Sequence, residues 1–175
     1  MFARLTVIPA LMVLLGGLAA GDGLTRAQAD ETLRAHNAWR KRLGVLSLRW
    51  APDLAAMAQT RARYLATHGC YIEHGLVSED VGENLYHAGP LKADGRPDAL
   101  NPVTPTQVVD EWGNESAYYS HSTDTCAPKR QCGHYTQIVW SSTEEVGCGK
   151  GICPTLGQVW VCLYRPRGNV KLIIR

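Results

Sequence analysis

Gly133-His134-Tyr135-Thr136-Gln137-Ile138-Val139-Trp140 is a string in which the identity of each residue informs more than any periodicity does. It lies between Cys132 and Cys148, two of six cysteines that all follow Arg63: Cys70, Cys126, Cys132, Cys148, Cys153 and Cys162. No Cys-x-x-Cys pair occurs among them, which argues against a thioredoxin-type redox site and against a structural zinc knuckle. An even count in an oxidising compartment ordinarily means disulfides, and six cysteines admit many connectivities. The compartment is read at the other end of the chain. Arg4, an apolar run over 5–18, and the small residues Ala19, Ala20 and Gly21 follow the order of a secretory signal peptide, assigned to residues 1–21. The run is broken by Gly16 and Gly17 and is short for a spanning helix, an uncleaved anchor being the alternative. Three disulfides in a secreted protein are the expectation.

Residues 22–175 then have the length of a single domain. The sequence is 45% hydrophobic and 19% charged, so it can bury a core, and intrinsic disorder and collagen-like repeats are excluded. A net charge of +2 makes no field strong enough to name a nucleic acid partner. Thr25 with Gln28 forms a capping-box pattern that opens a helix over 25–43, and Gly44 bends the chain. Pro52 and Asp53 open a second helix that Gly69 stops. Its Leu54, Met57, Ala58, Ala62 and Leu65 recur at three- and four-residue spacing and read as a core face. Arg61 and Arg63 fall opposite; with Arg34, Arg40, Lys41, Arg42 and Arg49 they read as a solvated basic surface, which would also attract an anionic membrane or acidic glycan.

Pro90, Pro97, Pro102 and Pro105 make 87–105 an exposed loop. Thr104, Pro105 and Gln107 cap a third helix with Val108, Val109 and Trp112 facing inward. Segments 145–148 and 158–164, rich in Val, Trp and Tyr and separated by Gly151, Pro154 and Gly157, read as two antiparallel strands. Helices followed by strands make an α+β layered domain.

The 133–140 string resembles the first signature of the CAP superfamily, which unites cysteine-rich secretory proteins, venom antigen-type allergens and plant pathogenesis-related proteins. Val161-Cys162-Leu163-Tyr164-Arg165-Pro166-Arg167-Gly168-Asn169 is similar to the second signature, and lies beside Val146-Gly147-Cys148 as expected. Gly82-Glu83-Asn84-Leu85, Trp112-x-x-Glu115, His36-Asn37, Arg40 and Leu48-x-Trp50 are similar to further family motifs, so the resemblance runs over 25–170. Leu163 departs from it, standing where the family usually carries a polar residue, commonly Asn. The resemblance implies an α+β fold of a particular kind, a three-layer α-β-α sandwich with a mainly antiparallel central sheet. The cysteine placement is similar to that of plant-type members, which implies the pairs Cys70–Cys153, Cys126–Cys132 and Cys148–Cys162.

The resemblance also implies a cleft whose two histidines and two glutamates fall on His74, Glu83, Glu115 and His134. Such a set suits Zn²⁺ or another divalent cation, since neutral imidazoles coordinate late first-row ions and carboxylates bind, orient the rings or act as a base. No nucleotide cofactor is expected. The leading reading is a secreted binding module with this metal-capable cleft and with a sterol or other lipid surface site, shaped by the 87–105 loop, that the family alone implies. Its expected partners are a lipid and a cell-surface or glycan partner, without nucleic acid, and its expected state is a monomer or weak dimer. The competing reading is a metal-assisted hydrolase of peptide or ester bonds with Glu83 or Glu115 as base. No Gly-x-Ser-x-Gly elbow directs the chain toward serine hydrolysis. His36 reads as ordering helix packing, and His68, His87 and His121 receive no shared role.

Overall fold

Gln158–Arg165 forms a strand, β6, whose first seven residues are all buried. A strand covered on both faces requires a layer on each side of its sheet. Val159, Val161 and Leu163 face one apolar cluster, and Trp160, Cys162 and Tyr164 face the other. The structure, a computed structural model, describes residues 23–75, 78–96 and 98–170; the signal-peptide assignment at 1–21 and Pro97 lie outside them.

Around β6 the chain runs α1 (Arg26–Arg42), β1 (Arg49–Trp50), α2 (Pro52–Thr67), β2 (Gly82–Ala88), α3 (Pro105–Gly113), a 3-10 turn (Asn114–Tyr118), β3 (Tyr119–Ser120), β4 (Thr125–Cys126), α4 (Gly133–Ile138) and β5 (Glu145–Ile152). The main sheet has the order β1-β5-β6-β2, antiparallel except where β1 runs parallel to β5. Buried residues of α2 form one outer layer with Leu85, Val159, Val161 and Leu163; those of α1, α3 and α4 form the other. The result is the three-layer α-β-α sandwich. Both capping boxes, Thr25 with Gln28 and Thr104 with Gln107, are formed. All three expected disulfides are present: Cys70–Cys153, Cys126–Cys132 and Cys148–Cys162, the last joining directly opposed residues of β5 and β6.

Four readings need correction. Gly151 does not end a strand, because β5 continues to Ile152. A Cβ on Gly147, Gly149 or Gly151 would meet the backbone of α2 or of the residue before it. The glycines let the alanine-rich face of α2 rest directly on the strand. Met57 is 39% exposed and lies outside the buried set Leu54, Ala58, Ala62, Leu65 and Ala66. The loop read over 87–105 begins later, since His87 and Ala88 belong to β2. Arg40 is fully buried, and Arg61 is turned toward Glu83, so neither contributes to a solvated basic surface.

Arg40 lies one helical turn after His36, in the stripe of α1 that faces the sheet. Among the described residues it has no carboxylate partner; its guanidinium donates instead to the carbonyls of Leu46, Ile138, Trp140 and Thr143. A planar fork of five donors suits such a cluster of acceptors.

Candidate functional site

His134 is set by the start of α4. Cys132, the residue before that helix, provides no side-chain cap, and the exposed amides are met by Glu115 from the 3-10 turn. One carboxylate oxygen accepts from the amides of His134 and Tyr135 at 3.0 and 3.2 Å, and the other accepts from His134 Nδ1 at 2.7 Å. Trp112 stacks on the imidazole with ring centroids 6.1 Å apart. Burial pushes the Glu115 carboxyl up, but the hydrogen bond and charge of His134 and the two amides outweigh it and hold the group below its ordinary value.

Glu83 comes from β2 and points to the α2 side of the sheet. Its side chain is almost wholly buried and accepts from His74 Nδ1 at 3.0 Å, from the Gly75 amide at 3.2 Å and from Arg61 Nε at 3.4 Å. The Arg61 guanidinium also donates to the Glu73 carbonyl. The next residue in β2, Asn84, faces the opposite layer, where its amide donates to the His134 carbonyl at 3.1 Å. Asn84 is also a hydrogen-bonding neighbour of the Tyr164 hydroxyl. That hydroxyl donates to His36 Nε2 at 2.8 Å, while His36 Nδ1 donates to the Thr32 carbonyl. His36 therefore orders the packing of α1 against β6.

His74, Glu83, Asn84 and His134 line one cavity of about 290 Å³. A second of about 620 Å³ adjoins it at His134 and includes Glu115, Trp112, Tyr71 and Ile72 in its walls. All four expected site residues thus border one cleft at the open edge of β2, as two His–Glu pairs. Ionised carboxylates only accept hydrogen bonds, so in its neutral form each imidazole carries its proton on Nδ1 and has its lone pair on Nε2. Among the described residues, no three His, Cys, Asp or Glu side chains stand together as a ready metal cage. A further cavity of about 600 Å³, lined by Ala56, Met57, Tyr64 and Leu163, is mainly apolar. No helix among the described residues is long and apolar enough to cross a membrane.

With this geometry in place the family follows from comparison. The model for CAP, the cysteine-rich secretory protein family, matches residues 33–164. The chain belongs to that family. Pathogenesis-related protein 1C of Nicotiana tabacum is 41% identical over 141 residues, covering 81% of this chain and 76% of its own. Human peptidase inhibitor 16 is 32% identical over 177 residues, covering 94% of this chain but only 35% of its own length. Among solved structures, the Schistosoma mansoni venom allergen-like protein 4 shares the fold with a TM-score of 0.62, at 23% identity and over 83% of this chain and 92% of that one.

In this CAP domain Arg61 and Asn84 also contact the expected site residues, at Glu83 and at the His134 carbonyl, and neither is marked in the sequence as doing so. Asn84 has a signal, standing inside the Gly82-Glu83-Asn84-Leu85 motif, whereas Arg61 sits on a helix face whose sequence looks solvated.

Proposed function

We propose that this CAP domain is a secreted binding module whose cleft holds a divalent cation such as Zn²⁺ on Nε2 of His74 and His134. Glu83 and Glu115 orient the two rings and stand behind them, without themselves binding the ion. The observation that supports this is the matched pair of Nδ1–H to carboxylate hydrogen bonds, the arrangement that fixes the tautomer and raises the basicity of metal-ligating histidines. Two imidazoles leave other positions of the ion for water or a partner's donor group, and the bound ion would supply positive charge for an anionic or carbonyl oxygen there.

The hydrolase reading is disfavoured by the same bonds. A general base needs a carboxylate with an oxygen turned to the substrate water. Glu83 is committed to Arg61, His74 and Gly75, and Glu115 to His134 and two amides. For a sterol or other lipid, the apolar cavity beside Leu163 is the surface of matching chemistry.

Titration calorimetry with Zn²⁺ tests the metal. His134→Ala and His74→Ala should each weaken binding about tenfold or more, and the double change should add little. Binding should weaken from about pH 7.5 to about pH 5.5, because imidazole must be neutral to coordinate. Unchanged Zn²⁺ affinity in the double variant would sink the proposed site.

A further inference from the structure

The two imidazoles of the cleft are held unequally. The His134 side chain is 23% exposed, stands at the start of α4 and stacks on Trp112. The His74 side chain is 66% exposed and belongs to the segment 71–75, which forms neither helix nor strand. Among the described residues, no backbone-to-backbone hydrogen bond joins 71–75 to another part of the chain. Glu83, the carboxylate that His74 meets, stands in β2 directly opposite Leu163 of β6, whose apolar side chain offers it no hydrogen bond. An exposed imidazole on such a segment keeps one place only if other groups offset the entropy of fixing it.

Those groups converge on Arg61 of α2. Its Nε donates to Glu83 at 3.4 Å, and another nitrogen of the same guanidinium donates to the carbonyl of Glu73, the residue before His74. Gly75, the residue after His74, lies against that guanidinium. A Cβ built on Gly75 would meet its carbon and two of its nitrogens at 2.8 to 3.0 Å, and the Gly75 amide donates to Glu83 at 3.2 Å. The guanidinium carbon also stands over the Tyr64 ring, 5.8 Å from its centroid, within reach of a cation–π attraction. One planar fork thus touches both chain neighbours of His74 and the carboxylate that orients its ring.

We propose that Arg61 is a positioning residue that makes His74 a ligand for the cation, with Gly75 supplying the bare backbone on which the guanidinium rests. Without Arg61 the segment 73–75 leaves α2, and the cleft keeps only the affinity that His134 provides. The inference rests on the cleft being a metal site, and Arg61 itself does not contact the ion. Lysine cannot replace it, since an ammonium is a point charge without the fork that spans a carbonyl and a carboxylate.

Zn²⁺ titration calorimetry on the intact disulfide-bonded protein tests the coupling. Arg61→Gln should weaken binding about tenfold, as His74→Ala does, and the two together should cost no more than about twofold beyond either alone. Arg61→Lys should lose nearly as much as Arg61→Gln. Gly75→Ala, which removes no group, should cost about threefold or more in the parent and less than about twofold in Arg61→Gln. Nitrogen NMR at about pH 8, where an imidazole is neutral, reads the positioning without metal. His74 should hold its proton on Nδ1 in the parent and pass to the tautomer mixture of an unrestrained histidine in Arg61→Gln and Gly75→Ala, while the His134 signals stay in place. A general loss of structure would move both rings. An unchanged His74 tautomer in both variants, Zn²⁺ affinity of Arg61→Gln within about twofold of the parent, or full recovery with lysine would overturn the inference. If the parent binds no Zn²⁺, the metal reading fails by itself, and the tautomer measurement still decides whether Arg61 positions His74.

Discussion

Arg40 and Glu115 hold opposite ends of α4. The guanidinium donates to the carbonyls of Ile138 and Trp140 at the helix end, each at 2.9 Å, and the carboxylate accepts the amides of His134 and Tyr135 at its start. A helix of six residues leaves most of its peptide groups without partners inside the helix. Its persistence therefore depends on groups delivered from α1 and from the 3-10 turn. His134, at the second position of α4, inherits its placement from both.

Arg40→Lys should destabilise the domain by about 2 to 4 kcal/mol, since an ammonium cannot reach four carbonyls arranged for a planar fork and leaves buried acceptors unmatched. Urea unfolding at neutral pH measures this. A cost below about 0.5 kcal/mol would show that the carbonyls do not depend on the guanidinium.

Stability should fall in mild acid through His36. Burial, only partly offset by the Thr32 hydrogen bond, together with the charge of Arg40 takes its pKa down to about 4, against about 6.5 in the unfolded chain. Between those values the unfolded state binds the proton that the native state excludes. The stabilisation is thus complete above about pH 6.5 and is lost as pH falls toward about 4, amounting to roughly 3 kcal/mol. The lowered Glu115 carboxyl acts in the same direction, but only within and below the ordinary carboxylate range. Unfolding midpoints at several pH values from 7 down to about 4.5, with NMR titration of the His36 ring, check the assignment. A ring that titrates in the folded protein near about 6.5 would contradict it.

Gly149→Ala should cost about 3 kcal/mol or more, because the added carbon meets the backbone of Ala58 and Gln59 where neither strand nor helix can yield. Gly89→Ala, with nothing within 4 Å of the new carbon, should stay within about 0.5 kcal/mol of the parent or gain slightly. Thermal unfolding of the pair separates close packing from any general effect of replacing glycine.

These sites also mark the limit of what the sequence discloses. Capping boxes at Thr25 and Thr104 are local chemistry, so their helices could be read with their starts. The pairing of the cysteines and the site set His74, Glu83, Glu115 and His134 needed the family resemblance, because their partners are distant in the chain. Arg40 escaped because it stands in the run Arg40-Lys41-Arg42, where only the three-dimensional fold separates the buried member from its exposed neighbours. Gly151 reads as a strand breaker, and nothing near Gly147 or Gly149 shows why glycine stands there, since the helix that requires all three lies some ninety residues earlier. β2 mixes glycine, glutamate, asparagine and histidine in a pattern without apolar alternation, and α4 is too short for any helical period to register.

Glu115→Gln offers the finest test of how the cleft works. A glutamine oxygen can still accept the Tyr135 amide, so much of the cap survives and the loss of stability should be about 1 kcal/mol. The carboxamide nitrogen, however, is a donor and would face His134 Nδ1–H if the ring kept its present tautomer. The ring can relieve that conflict by moving its proton to Nε2, leaving Nδ1 to accept. The Nε2 lone pair that faces the cleft is then gone, and Zn²⁺ affinity should fall about tenfold although no ligand has been removed. Nitrogen NMR of the imidazole distinguishes the tautomers directly: Nδ1–H in the parent and Nε2–H in Glu115→Gln. If the variant keeps the Nδ1–H form and still loses the metal, Glu115 acts as a ligand itself and the division into two imidazole ligands and two orienting carboxylates is wrong.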